Sequence, residues 1–198
     1  MNGEKPENIR AFIASNLPET VRKRVVEVQS ELKSLCAEDT VRWAAPEQTH
    51  LTLKFLGGVD AGSLDELKAA IRCACRANAF ELTTQALGCF PNLRRPRVIW
   101  MGLGGEAKAL SDLQQRIEAA TNSWREPEAR EFHPHLTLGR VKHLRPGELN
   151  GLARVVDAHE RTVFGSWRVE GLDLVRSKLS SHGAVYSKLA SFQLIGEV

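Results

Sequence analysis

The same order of elements occurs twice in this chain, and each copy ends on a histidine, one apolar residue and a threonine. A strand-like Arg10-Ala-Phe-Ile-Ala is followed by helical sequence and then His50-Leu-Thr-Leu. Arg97-Val-Ile-Trp is followed by helical sequence and then His135-Leu-Thr-Leu. The two arginines stand 87 residues apart (97 − 10 = 87) and the two histidines 85 (135 − 50 = 85). A near-constant offset across strand, helix and motif marks an internal duplication, which limits the fold to two similar halves. No linker-like stretch divides them, so residues 1–198 are read as one domain of two intimately packed halves.

Local signals place the elements. Pro18 and Glu19 open a helix whose Val21, Val25, Val28, Leu32 and Leu35 recur at helical spacing. A strand from Val41 to Ala44 leads through Pro46 into His50-Leu-Thr-Leu-Lys-Phe-Leu, which alternates as a strand does and is expected to end at Gly57-Gly58. Ser63 is expected to cap a helix to about Ala77, with Asp65 and Glu66 at its positive end. Strands over Phe80–Leu87 and Arg97–Leu103, a helix from Glu106 to Ser123 and a strand from Phe132 to Val141 follow. A helix from Pro146 to about Ala158 precedes two last strands, Thr162–Val175 and Val185–Leu194, joined by Ser180-Ser-His-Gly. The fold class is α+β and bilobal. It comprises two pseudo-symmetric lobes of antiparallel sheet with helices packed outside, and a central cleft lined by one motif from each lobe.

Composition narrows the function classes. A net charge of +3 mildly favours an anionic partner without the strong basic excess of a nucleic-acid coat. The start, MNGEKPENIR, lacks the apolar region of a signal peptide, and no window reaches the ~18 apolar residues of a membrane span, so no membrane partner is expected. Cys36, Cys73, Cys75 and Cys89 show no C-x-x-C spacing and read as buried, reduced thiols of a cytoplasmic protein, and a monomer is the default.

On a strand His50 and Thr52 point the same way, as do His135 and Thr137. Each motif therefore offers an imidazole with a hydroxyl one pleat away, and two converging pairs surround one small volume. That arrangement suits a phosphate: hydroxyls donate to its non-bridging oxygens, while imidazoles of ordinary pKa ~6.5 handle protons in either direction. One His-x-Thr alone carries no weight. Two, in flanks as alike as His50-Leu-Thr-Leu-Lys-Phe-Leu-Gly and His135-Leu-Thr-Leu-Gly-Arg, leave coincidence a poor explanation.

Those two segments, with Phe132-His-Pro before the second, resemble the two-histidine (2H) phosphoesterase superfamily, and within it the RNA 2′,3′-cyclic phosphodiesterases, also called 2′-5′ RNA ligases. The likeness extends to Arg10-Ala-Phe-Ile-Ala, Arg42-Trp43, Arg97-Val-Ile-Trp100, and Ser177-Lys-Leu with Gly183 and Tyr186. The resemblance implies a bilobal α+β fold, no metal, no cofactor, and hydrolysis of an RNA-terminal 2′,3′-cyclic phosphate to a 2′-phosphomonoester. A reversible, ATP-independent 2′-5′ RNA ligation is associated with it. It further implies His50 as proton donor, His135 as proton acceptor, and Thr52 and Thr137 as phosphate-binding groups.

Around these, Lys54 lies on the His50 face by simple alternation and is a candidate substrate contact or a solvated rim lysine. Arg140 alternates away from His135 unless a bulge at Gly139 turns it back. Phe12 and Tyr186 are candidate base contacts, as are Trp43 and Trp100, with core packing the alternative for each. His133 shares an H-x-H with His135 and raises a metal site, but neither motif carries a carboxylate on the histidine face. His143, His159 and His182 read as surface residues. Arg94-Arg95-Pro96-Arg97 is the densest basic patch, either a solvated loop or a rim that guides RNA. Two other functions fit the motifs: cyclic phosphodiester hydrolysis on a small nucleotide (ADP-ribose cyclic phosphate or a 2′-5′ oligoadenylate), and a non-catalytic RNA-end binding module.

Overall fold

Strand β1 (Asn8–Asn16) is buried on both faces from Ala11 to Ser15, which requires covering layers on either side of it. A computed structural model, describing residues 7–126, 131–180 and 183–196, shows what supplies them. After β1 come α1 (Glu19–Lys33), β2 (Val41–Trp43), a 3₁₀ turn at Pro46–Gln48 and β3 (His50–Asp60). A second 3₁₀ turn at Ala61–Ser63 leads to α2 (Leu64–Ala74), β4 (Phe80–Phe90), β5 (Val98–Gly105) and α3 (Ala107–Ala120). The chain closes with β6 (His135–Val141), α4 (Pro146–Ala158), β7 (Val163–Val169), β8 (Gly171–Ser180) and β9 (Gly183–Gln193).

The strands form two antiparallel sheets, ordered β3-β1-β8-β9 and β2-β6-β5-β4-β7. The α+β, two-lobed expectation holds, with one refinement: the halves of the sequence are not the two sheets. β2 and β4, from the first half, lie in the second sheet, and β8 and β9 return at the end to complete the first. The helices cross over as well. α1 leaves the first sheet and packs on β7 of the second, while α3 leaves the second and packs on β3 of the first. One apolar cluster runs through both, including Ile13, Leu32, Leu56, Ile99, Leu113 and Leu138.

Several sequence expectations shift. The tail segment expected as one strand over Thr162–Val175 is two, β7 and β8, broken at Glu170 where the chain passes between sheets. β3 does not stop at Gly57-Gly58, because β1 pairs with it as far as Asp60 and Gly57 (φ +69°) takes up a left-handed bulge conformation. Ser63 precedes α2 without capping it. Its hydroxyl donates to Asp60 O (3.0 Å) and accepts from Trp124 Nε1 (3.0 Å). Ile13 pairs with Lys54, and Ile99 pairs with Gly139. The equivalent strand residues are therefore 86 apart (99 − 13 = 86), one fewer than the arginines suggest. Ser181 and His182, read above as a turn and a surface histidine, lie outside the described residues.

Each motif strand carries a one-residue bulge at the same place. In β3, Thr52 pairs with Ala14 and Lys54 with Ile13, leaving Leu53 as the extra residue. In β6, Thr137 pairs with Trp100 and Gly139 with Ile99, leaving Leu138 extra. A bulge reverses the alternation beyond it. Lys54 thus leaves the face of His50, correcting its candidacy as a substrate contact. It is 4% exposed, lies 2.6 Å from Glu118 Oε2 on α3 and donates to Arg125 O (2.8 Å). Removing one partner of a buried ion pair leaves the other charge uncompensated, at about 3–5 kcal/mol. Lys54→Ala is therefore expected to lower the urea midpoint by that order at constant m-value, with kcat/KM of the folded protein unchanged. A stable variant with impaired turnover would instead return Lys54 to the substrate.

Candidate active site

The sheets meet where β3 packs against β6, so the two motif strands are neighbours. Each begins on its histidine, and the two imidazoles are held by the same device. His50 Nδ1 lies 2.6 Å from Gln48 O, and His135 Nδ1 lies 2.7 Å from His133 O. A carbonyl can only accept, so Nδ1 carries the proton in both rings. Nε2 is left as the second ring nitrogen, an acceptor when the ring is neutral and a donor when it is charged. Thr52 and Thr137 follow one pleat on, both half-buried and on the histidine faces.

The surroundings differ between the halves. Phe12 stacks on His50 (4.7 Å between centroids), and Tyr186 meets both edge-on, 5.4 Å from His50 and 5.1 Å from Phe12. Phe12 is buried, so it braces the imidazole and presents no open face to a base. The bulge gives that position to Phe55, 49% exposed and 5.9 Å from Phe12. Sequence reading missed Phe55 because it assumed unbroken alternation. On the other side the equivalent bulge turns Arg140 onto the His135 face, by the route the sequence allowed for. Phe90, also missed, packs edge-on to His135 (5.0 Å) and against Trp100 (5.3 Å). Trp43 packs over Gly139, where any Cβ would meet its ring, which is a core role. The Arg94–Arg97 loop enters β5 beside Arg140, since Val98 and Arg140 are register partners.

Burial is the main cause that lowers the pKa of each imidazole below the ordinary histidine value. The backbone hydrogen bond opposes it, and nearby positive charge adds to it: Arg22 at His50, Arg140 and His133 at His135. Arg22 has a second task that no motif signals. It donates to Leu17 O (3.1 Å) and Pro46 O (2.9 Å), tying α1 to the turn whose Gln48 carbonyl orients His50. The cysteines take no part. Burial pushes the Cys75 and Cys89 thiols up to about 11 and about 12, and Cys73 is exposed, not buried. Among the described residues no group of three or more His, Cys, Asp or Glu side chains could hold a metal ion, and His133 faces Phe90 and Glu131. His143 is exposed, whereas His159 is partly buried between Glu31 (3.0 Å) and Thr162 (3.2 Å). Among the described residues no helix is long and apolar enough to cross a membrane.

Two antiparallel sheets joined along a pair of His-x-Thr strands, each imidazole fixed through Nδ1, bring both motifs to one candidate site. The chain belongs to the 2′-5′ RNA ligase superfamily, whose model matches residues 17–180. It is 35% identical to a Methanothermobacter thermautotrophicus protein named RNA 2′,3′-cyclic phosphodiesterase, over 94% of this chain and 99% of that one. A Thermus thermophilus protein of the same name is also 35% identical, over 96% and 92%. The crystal structure of TT0787 from Thermus thermophilus superposes with a TM-score of 0.79 at 32% identity, covering 96% of this chain and all of that one (100%). That of E. coli LigT complexed with 3′-AMP gives 0.74 at 25% identity, covering 95% and 99%.

Both imidazoles are expected to titrate below the usual ~6.5. An unfolded chain then takes up their protons first as pH falls, so stability is full above that value and declines as pH drops towards the folded-state pKa values. NMR titration should show Arg22→Ala raising the His50 pKa while leaving that of His135 in place. Equal movement of both would remove Arg22 as the local cause.

Proposed function

We propose that this protein hydrolyses RNA ends bearing a 2′,3′-cyclic phosphate to 2′-phosphomonoesters, with its two histidines as acid and base. The observation that carries the reading is the paired Nδ1–carbonyl hydrogen bond, which presents two Nε2 atoms from adjoining strands. Family membership and the names of the relatives support the reaction class.

In this mechanism water attacks phosphorus as His135 Nε2 takes its proton. The bond from phosphorus to O3′ breaks, and His50 Nε2 gives its proton to the departing O3′. Thr52 and Thr137 donate to the non-bridging oxygens as their charge grows. The assignment of His50 as acid and His135 as base follows the resemblance of the two motifs to the 2H phosphoesterases. A 5′-hydroxyl of a second RNA in place of water gives 2′-5′ ligation without ATP, with no change in the residues. No group in this scheme requires a metal or cofactor. A small-nucleotide substrate is the second reading, supported by the E. coli LigT structures complexed with 3′-AMP, NADP+ and ATP.

The test is turnover of an oligonucleotide 2′,3′-cyclic phosphate in EDTA with the product isomer identified. The wild type should give the 2′-phosphate, and His50→Ala or His135→Ala should each lower kcat by about 10²–10⁴-fold with folding intact. Full rate in either variant would sink the two-histidine mechanism, and binding without turnover in the wild type would favour an RNA-end binding module.

The crossing of strands and helices between sheets also supports one folding unit with a single core. Calorimetry should show one unfolding transition with calorimetric and van't Hoff enthalpies equal. Two resolved transitions would divide the chain into separate domains.

A further inference from the structure

Asp173, in the third position of β8, is a carboxylate only 6% exposed. Burying such a charge is costly unless it is paired and hydrogen-bonded. Here three donors meet it: the Asn16 side-chain amide, Ser191 Oγ (2.6 Å) and Lys188 Nζ (2.9 Å). The mechanism above uses none of these four residues.

Register places them on the catalytic face. Thr52, Ala14, Asp173 and Ser191 are direct partners in one row across the first sheet, and His50 and Asn16 are partners in the next. Directly paired residues point to the same side of a sheet. With strands ~4.8 Å apart, Asp173 lies about 10 Å from Thr52 across β1. A cavity of about 470 Å³ opens here, lined by this cluster with Gln193, by Trp167 and Arg168 from β7 of the second sheet, and by the Glu170 carboxylate between the sheets. Its volume falls within the ~300–1,000 Å³ of small-molecule sites.

We propose that this cavity is the subsite for the nucleotide preceding the cyclic phosphate in an RNA chain. The inference rests on the RNA-end reading above and deepens it, since a second nucleotide site separates an RNA substrate from a mononucleotide. Asp173 is saturated by its three donors, so its role is to hold the Asn16 amide and the Lys188 ammonium in position. Asn16 Oδ1 and the Gln193 amide then face a base edge. Lys188 and Arg168, both exposed, supply two cations for the linking phosphodiester.

The test compares kcat/KM for a cyclic-phosphate mononucleotide and for a dinucleotide with the same terminal residue, across a salt series. The wild type is expected to prefer the dinucleotide. Lys188→Gln and, separately, Arg168→Gln should each lower the dinucleotide-to-mononucleotide ratio several-fold. Each should also reduce the salt slope for the dinucleotide by about one. Arg168 has no share in the Asp173 cluster, so its variant keeps the test valid should Lys188→Gln disturb folding. Equal kcat/KM for the two substrates in the wild type, or an unchanged ratio in the Arg168 variant, would overturn the subsite while leaving the phosphodiesterase reading in place. A wild type that turns over neither substrate would overturn both.

Discussion

One inserted residue, three positions after each histidine, decides which side chains this site contains. Up to Leu53 and Leu138 the two motif strands alternate regularly, so His50 with Thr52 and His135 with Thr137 face inwards. Beyond the bulge the phase reverses. Phe55 and Arg140 take the inward positions, while Lys54 and Gly139 turn outwards. Without the insertion in β3, a lysine that now pairs with Glu118 would share the cleft with two titrating imidazoles, and Phe55 would lie against the helix layer. The same device in both copies produces different results because the inserted phase acts on different residues: an aromatic ring on one side, a guanidinium on the other. The duplication thus supplies the symmetry of the histidine pair and, through one shared distortion, the asymmetry of its surroundings.

The second organising constraint is electrostatic. Two imidazoles placed in a partly buried site lose hydration, which disfavours their charged forms, and each is next to fixed positive charge. The Gln48 and His133 carbonyls counter part of this by accepting from Nδ1. The balance still leaves both imidazoles below the ordinary histidine pKa. Arg22 links that balance to geometry, because the guanidinium that disfavours charge on His50 also anchors the turn that orients it.

What the sequence could and could not show follows from the range of the interactions. The elements with strong local periodicity, α1 and α4 among them, and the paired motifs were legible because their signals lie within a few residues. The α4 bounds, Pro146–Ala158, match the expectation because proline fixes the first turn. Lys54 was misplaced because a bulge is a property of a strand pair, invisible along one strand. The break at Glu170 was missed for the same kind of reason: β7 and β8 are each strand-like, and only their different partners separate them. The Asp173 cluster gave no signal, since Asn16, Asp173 and the Lys188–Ser191 stretch lie on three separate strands and meet only through the β1-β8-β9 pairing.

The exchange of elements between the sheets ties the site to the whole fold. β1 and β3 are completed into a sheet only by β8 and β9 from the far end of the chain, and Lys54 of β3 is neutralised from α3 of the opposite half. In return, α1 of the first half donates Gln29 Nε2 to Ala44 O and to Leu138 O, the latter at the bulge of β6 (2.8 Å each). Each motif strand is therefore held at its bulge by a side chain or helix that belongs to the other copy. Two separable lobes could slide past one another and change the distance between the imidazoles. Here such sliding would have to break buried polar contacts on both sides, so the spacing of the two imidazoles is a property of the entire chain.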